Sequence, residues 1–485
     1  MASPAGDRRG RSERPNILLI TADEMRHDCY GAAGHPLVRT PHLDALARRG
    51  VRFTNAYTTF PVCVPARMSI LTGQYAHAHG LTTNRGFLPE GQPTLPSALR
   101  EAGYRTAAFG KMHFWPPYKS YGFETMRLAE QHGLGYKIDD YHSDYLARRG
   151  LVDLWDLWDQ QAPYRKEAPA EYWESFGAKA SAIPDEHYHT TWIADRTIEF
   201  LNEADERPFF VWTSFIKPHH PFDPPKPWDE MYDPKDVPAP DDQALALEKP
   251  LLTRGGRRDP RQAYFDLSRL SEEAYRRVAA LYYASISHID HHVGRIMKAL
   301  EEGGLLEDTL VIFTSDHGDY MGAYGLILKD PNVPYDALAK VPMIAAGPGV
   351  KEGTVSDALV SLVDLFPTAA RLAGAAIPPS VQGKDISSLL AGGGDASPVR
   401  EAIFMESRNV KAVRTGRYKY LYDHECGIEE LYDLVADPRE QVNMAGRPEQ
   451  RERIRDMRDL LLGWLIETEW DRYTAPWRFD TLKAP

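Results

Sequence analysis

Short apolar runs recur along this chain, separated by stretches with helical spacing. NILLITA at 16–22, RTAAFG at 105–110, PFFVWTSFI at 208–216, TLVIFTS at 309–315 and VPMIAA at 341–346 read as strands. They are mostly continuous rather than alternating, as strands covered on both faces should be. Between them lie helix patterns. TPHLDALARRG places Pro41 at a helix start and Gly50 at its end. TLPSALREAG is closed by Gly103. The longest pattern runs from about Ser271 to Gly303, with Val278, Leu281, Tyr282, Ile286, Ile289, Val293, Ile296 and Leu300 at helical spacing. Strands alternating with helices predict an α/β sandwich around a large, mostly parallel sheet.

Two segments break the rhythm. Residues 117–185 are rich in Trp, Tyr, Asp and Pro, and 218–262 are Pro-rich with little apolar content. Long irregular insertions in a compact α/β protein are often active-site walls. AGGGDASP at 391–398 reads as a linker. After it come short strand patterns, EAIFMES and KAVRTGRYKYLYD, and a helix near 449–467 with Ile454, Met457, Leu461 and Trp464 on one face. The expected layout is a disordered tail over 1–15, a main unit over 16–390 and a smaller α+β unit over 391–485.

Composition narrows the function. The 485 residues carry 57 Lys and Arg against 69 Asp and Glu, a formal charge of −12. A balance that acidic argues against a nucleic-acid or membrane-surface binder, which needs a basic face. Only three cysteines occur, Cys29, Cys63 and Cys426, too few for a disulfide framework. The polar first fifteen residues lack the apolar core of a signal peptide. No segment reaches the ~20 apolar residues of a membrane span. The expectation is a soluble, cytoplasmic protein.

Ligand sites in open α/β sheets lie beyond the carboxyl ends of the strands. One strand ends in Asp23-Glu24 and another in Asp316-His317-Gly318-Asp319. Two such clusters can converge on one divalent cation. Oxygen donors suit Ca²⁺, Mg²⁺ or Mn²⁺, and imidazole shifts the balance toward a transition metal. Taken singly, each is as well explained as a helix cap or loop acid. Cys63, Pro65 and Arg67 stand before the short run MSILTG. A Cys at a helix start beside an Arg is in an electropositive setting, which lowers a thiol pKa and favours anion binding. The alternative is a buried, inert Cys.

Cys63-x-Pro65-x-Arg67 followed by Leu71-Thr72-Gly73 resembles the signature of the type I, formylglycine-dependent sulfatases of the alkaline phosphatase superfamily. PNILLITADEMRHDCYG, GYRTAAFGKMHF, KPHHPFDPP, LYYASISHIDHHVG, FTSDHGD and ELYDLVADPREQVN resemble further family segments in the family's order. The resemblance implies an alkaline-phosphatase-like α/β sandwich with a smaller C-terminal α+β subdomain. It implies that Cys63 is oxidised to Cα-formylglycine, whose hydrate is the nucleophile. A formylglycine-generating enzyme or an anaerobic sulfatase-maturating enzyme would be the modifying partner. Asp23, Glu24, Asp316 and His317 would hold the cation, Ca²⁺ by family habit. The family often has Asp at the second position and Asn at the fourth, so Glu24 and His317 leave Mn²⁺ as the alternative.

In the same resemblance Arg67, Lys111, His113, His219 and Lys329 would surround the sulfate and the leaving oxygen. Donors placed where charge develops are the main need of such a transfer. His113 or His219 would protonate the leaving alcohol or help expel sulfate. The cycle would be a double displacement: the hydrate attacks sulfur, the alcohol leaves, and the aldehyde re-forms as sulfate is expelled. The implied substrate is a small sulfate ester, a sulfated sugar or an aryl sulfate. The nearest rival is a phosphonate monoester or phosphodiester hydrolase of the same superfamily, which typically lacks the element seen as Lys111-Met112-His113. An unmodified-thiol hydrolase and a non-catalytic anion binder are further alternatives. A homo-oligomer is left open.

Other polar residues are discounted. His77, His79 and Asn84 follow the signature and read as solvated loop groups, though one could touch substrate. His187 and His189 suit capping or packing, Trp155, Trp158 and Trp173 local core, and Asp290 a structural hydrogen bond. Cys29 and Cys426 read as inert, and Arg8, Arg9, Arg11 and Arg14 as tail.

Overall fold

A computed structural model describes residues 14–130, 141–160, 162–392 and 399–469. Most of the expected tail, and residues 393–398 of the expected linker, lie outside the described residues.

Eight strands form the large sheet: β1 (Asn16–Asp23), β2 (Gly50–Tyr57), β3 (Arg105–Gly110), β4 (Thr125–Leu128), β5 (Phe209–Pro218), β6 (Thr309–Ser315), β7 (Lys340–Ala346) and β8 (Thr354–Ser361). Their spatial order is β4-β3-β5-β1-β6-β7-β2-β8. All neighbouring pairs are parallel except those of β7, which runs against both β6 and β2.

The continuous apolar runs have the expected cause. In β1, Leu18, Ile20 and Ala22 face one core while Ile17 and Leu19 face the other. In β6, Val311 and Phe313 share the first core, Leu310 and Ile312 the second. Successive side chains of a strand point to opposite faces, so a sheet covered on both sides needs apolar residues throughout.

The long helix spans Glu272–Glu302, with Ser271 as its N-cap accepting from the Ala274 N–H at 3.2 Å. All eight apolar positions expected on its inner face are in the first core. The signature helix, Cys63–Thr72, covers the opposite face with Val64, Met68, Ile70 and Leu71.

Three strands of the large sheet carry no clear sequence signal. β2 and β8 carry too many polar positions to read as buried strands, and β4 has only four residues. Gly50 also differs from expectation. The helix before it ends at Arg48, and Gly50 opens β2, where a Cβ would lie 2.0 Å from the Ala345 carbonyl oxygen. Its role is close strand approach rather than helix termination.

A second sheet is antiparallel, in the order β12-β11-β10-β9: β9 (Ala402–Glu406), β10 (Val410–Thr415), β11 (Tyr418–Asp423) and β12 (Ile428–Asp433). Helix Arg451–Thr468 packs on it through Ile454, Met457, Leu461 and Trp464, the expected face. Among the described residues no helix is long and apolar enough to cross a membrane.

Glu406 joins this sheet to the segment after the signature helix. Its buried carboxylate accepts from the His77 backbone N–H at 2.9 Å, lies 3.0 Å from His77 Nδ1 and pairs with Lys411. Burial would raise its pKa, but the His77 hydrogen bond and Lys411 outweigh burial and lower it from 4.5 to about 2. A depressed folded pKa contributes stability that is present above the unfolded value and lost as pH falls through the folded one. Glu406→Gln is therefore expected to cost on the order of 2–3 kcal/mol at pH 7. Urea unfolding should show the gap to the parent closing between about pH 4.5 and pH 2; a gap independent of pH would exclude this linkage.

Candidate active site

The site lies at the carboxyl ends of four adjacent strands, β3, β5, β1 and β6. β1 delivers Asp23 at its last position and Glu24 immediately after. Because β6 pairs in parallel with β1, with Ala22 opposite Ser315, Asp316 emerges beside Asp23. Glu24 has a positive φ of 65°. That conformation costs a non-glycine residue on the order of 1 kcal/mol or more. It is held by the Glu24 N–H donating to Asp316 Oδ1 at 3.3 Å and by Tyr282 Oη donating to the Glu24 carbonyl at 2.7 Å.

Lys111 follows β3 through Gly110, whose φ is 90° and whose Cβ would lie 2.0 Å from the Ser214 carbonyl oxygen. Only glycine allows β3 to pass β5 so closely, and the Lys111 N–H then donates to that same carbonyl at 2.9 Å.

The signature helix brings Cys63 and Arg67. Both are fully buried. Cys63 Sγ lies 3.5 Å from Asp23 Oδ1 and 3.3 Å from His317 Nε2. Arg67 Nε donates to Asp316 Oδ2 at 2.9 Å, and its fork reaches Ser214 Oγ at 2.7 Å and the Lys111 carbonyl. Its other terminal nitrogen lies 3.6 Å from Asp23 Oδ2. Lys111 Nζ pairs with Asp23 Oδ2 at 2.5 Å. Asn84, discounted in the sequence, caps this helix by accepting from the Val64 N–H at 3.1 Å.

Two potential ligand sets share Asp23 and Cys63. One adds Asp316 and His317, the other Glu24 and His219. The four expected metal ligands thus line one buried cluster, with Glu24 grouped beside His219. His317 Nδ1 donates to the Gly318 carbonyl at 2.9 Å, which leaves its Nε2 lone pair facing Asp23 and Cys63. His219 Nδ1 donates to the His220 carbonyl at 2.6 Å, and its Nε2 lies 3.1 Å from Lys329 Nζ. Lys329 also contacts Glu24 Oε1.

His113 is set by its backbone. Its φ is 58°, and its N–H donates to both Glu130 oxygens at 2.9 and 3.0 Å. Glu130 also accepts from the Met112 N–H at 2.8 Å. Neither Glu130 nor Ser214 was singled out in the sequence. Ser214 sits inside an apolar run, and Glu130 carries no local motif.

Burial would raise Asp23, but the Lys111 and Arg67 charges hold it well below the carboxylate range. Burial and the Asp23 charge push Asp316 up to about 6. Burial and Lys111 hold His219 well below the usual imidazole value, so it is neutral and accepts from Lys329. Burial lowers Lys329 to about 8. The Cys63 thiol differs from the expectation of a lowered pKa. Burial, then the Asp23 carboxylate, push it well up, outweighing Lys111 and Arg67. A protonated thiol is a poor nucleophile, which disfavours the unmodified-cysteine alternative.

The remaining candidates are structural. His79 is buried, 3.3 Å from Ser69 Oγ, and His77 binds Glu406, so neither is a solvated loop group. Trp155, Trp158 and Trp173 pack around Tyr172. Asp290 accepts from the Leu43 and His42 N–H groups at 2.7 and 3.2 Å. His187 Nδ1 lies 2.8 Å from Tyr145 Oη, and His189 is the buried first residue of helix His189–Leu201.

This geometry gathers acidic ligands and buried cations around one cysteine at a helix start, an arrangement suited to transfer of an anionic ester. A family model described as Sulfatase matches residues 15–375, and one described as N-sulphoglucosamine sulphohydrolase, C-terminal, matches 324–465. The chain belongs to the sulfatase family and is a sulfuric ester hydrolase. An arylsulfatase of Clostridium perfringens is 34% identical over 479 residues, covering 93% of this chain and 94% of that protein. A choline-sulfatase of Rhizobium meliloti is 30% identical over 455 residues, covering 90% and 83%. The crystal structure of a phosphonate monoester hydrolase of Agrobacterium radiobacter matches with a TM-score of 0.78 at 28% identity, covering 94% and 96%.

Arg67→Ala would leave two buried carboxylates sharing only Lys111 and the imidazoles. Breaking a buried ion pair from one side costs about 3–5 kcal/mol. Urea unfolding at pH 7 should show a loss of that order; a loss under about 1 kcal/mol would mean that Arg67 is not their main counter-charge.

Proposed function

We propose that this sulfatase uses Cys63, converted to Cα-formylglycine, as its nucleophile, together with one divalent cation. The observation that carries the reading is the convergence on Cys63 of Asp23, Asp316 and His317 on one side and Arg67 and Lys111 on the other. The residues present fit a cation. Glu24 Oε2 is buried without a hydrogen-bond partner, and Asp23 Oδ2 and Glu24 Oε1 meet lysine ammonium groups that a cation would displace. Carboxylate oxygens with one oriented imidazole suit Ca²⁺, with Mn²⁺ as the alternative. Asp23, Glu24, Asp316 and His317 would hold it. Bound there, such a cation supplies Lewis-acid polarisation of a sulfate oxygen and lowers the pKa of a neighbouring hydroxyl.

The chain's own residues do the rest. Arg67 is fixed by Asp316 and Ser214, near enough to Cys63 for its charge to act there. Lys111 and Lys329 flank the acidic cluster and would bind the sulfate oxygens. Preorganised charge of this kind stabilises the transition state without further rearrangement. Lys329 Nζ holds a proton against His219 Nε2, so Lys329 and His219 together form the proton path to the leaving oxygen. Where His219 was expected to protonate the leaving alcohol or help expel sulfate, Lys329 would supply the proton it passes on. His113, anchored by Glu130, is the second candidate for that work.

Aryl sulfates and small sulfated sugars or alcohols are the proposed substrates, in keeping with the arylsulfatase and choline-sulfatase relatives. Cys63 is buried in the folded chain, so a formylglycine-generating enzyme or anaerobic maturase would have to act before the site closes. A cytoplasmic setting is proposed, which fits three free cysteines. The division into a catalytic unit over 16–390 and a smaller unit over 391–485 belongs to the same reading. The small antiparallel sheet and its own helix support it, although Tyr75 and Val363 join their cluster and Met405, Ala412 and Leu421 pack into the first core.

Peptide mass spectrometry across Cys63 should find the aldehyde, about 18 Da lighter than the thiol by atom counting. Cys63→Ala should lose turnover of a chromogenic sulfate ester while keeping its fold. Full activity in a protein whose Cys63 is unmodified would overturn the proposal.

A further inference from the structure

The long helix carries a second histidine cluster that the catalytic reading does not use. His288 and His292 stand one turn apart, and both are buried. Their Nε2 atoms are 2.9 Å apart. Asp185, in the turn before helix His189–Leu201, places Oδ1 2.9 Å from His288 Nε2. Thr191 Oγ1 lies 3.0 Å from His292 Nε2 and donates to Asp185 Oδ1 at 2.9 Å.

Protons can pair these atoms one by one, but they do not account for the 2.9 Å approach of the two Nε2 atoms. Two imidazole nitrogens and a carboxylate oxygen converge, and His288 Nε2 faces both other atoms at 2.9 Å. A single N–H on His288 can point at only one of them. A cation would use all three lone pairs at once. Two imidazoles and one carboxylate form a common ligand set for Zn²⁺ and its neighbours, and histidines at i and i+4 present it from one helix face. Tetrahedral zinc with bonds of about 2.0–2.1 Å holds its ligand atoms about 3.3 Å apart, so the cluster would open by a few tenths of an ångström.

Asp185 is partly exposed and offers an entry path. Trp228 Nε1 donates to its other oxygen at 3.2 Å, an outer contact that orients the carboxylate. Arg295 lies 3.1 Å from His292 Nδ1. Ligation through Nε2 needs the proton on Nδ1, so Arg295 would release that contact and keep its 2.8 Å pair with Asp195.

We propose that Asp185, His288 and His292 form a second metal site, selective for a transition ion such as Zn²⁺, which clamps the 185–191 turn to the long helix.

The test is Zn²⁺ titration of the full-length protein by calorimetry in excess Ca²⁺, with the thermal midpoint followed in parallel. Asp316→Asn, which disables the other cluster, separates the two sites. Expected is one Zn²⁺ equivalent that raises the midpoint and persists in Asp316→Asn. His288→Gln and His292→Gln should lose it, and Asp185→Asn should weaken it at least about tenfold. Asp185→Asn keeps the Trp228 contact within reach, so it decides the matter if the histidine variants fail to fold. Zn²⁺ binding unchanged in Asp185→Asn, absent from the parent, or abolished in an Asp316→Asn protein that keeps the parent's circular dichroism would overturn the proposal.

Discussion

The buried ion lattice of Asp23, Asp316, Arg67 and Lys111 is the constraint on which the rest of this structure depends. Removing four charges from water is expensive, and mutual attraction repays it only when the geometry is close and the remaining donors are satisfied. The geometry is close and most donors are satisfied, while the second terminal nitrogen of Arg67 makes no hydrogen bond and stands 3.6 Å from Asp23 Oδ2. Arg67 spends its other donors on Asp316, Ser214 and the Lys111 carbonyl, and Lys111 meets Asp23. Each partner comes from a different segment, so the lattice exists only when the sheet and the signature helix have both formed.

Sheet topology makes that meeting possible. The order β3-β5-β1-β6 places four parallel strand ends side by side. Each contributes to the site: Lys111 after β3, Ser214 and His219 within and after β5, Asp23 and Glu24 from β1, and Asp316 and His317 after β6. Two strained backbones, at Glu24 and His113, follow the ends of β1 and β3, each pinned by a carboxylate. The arrangement spends local stability on fixing where charge will be met.

Much of this was legible from the chain. Uninterrupted apolar runs gave β1, β3 and β6 almost to the residue, because strands buried on both faces tolerate no polar break. The long helix followed from its eight apolar positions. β2 and β8, with several polar positions each, carry no comparable signal. In the site, motif residues stood out because acids at strand ends and a Cys-x-Pro-x-Arg string are unusual locally. Glu130, Ser214 and Asn84 did not, since each acts on a residue distant in sequence or on a backbone group. The Cys63 thiol shows the same limit. Its helix start and Arg67 suggest activation, but burial and Asp23 are tertiary facts and dominate. The overall charge of −12 likewise says nothing of the positive groups concentrated around one cysteine.

The fold is shared with a phosphonate monoester hydrolase, so choice of reaction rests on the site rather than the scaffold. Lys329, against a neutral His219, and Lys111 would hold a singly charged ester, and sulfate and phosphonate monoesters carry that same charge. The most direct measurement is kcat/KM for matched 4-nitrophenyl esters of sulfate and of a phosphonate, with the Cys63-modified protein. Expected is a preference for the sulfate of at least about tenfold. A preference for the phosphonate would contradict the assignment of this site to sulfate transfer.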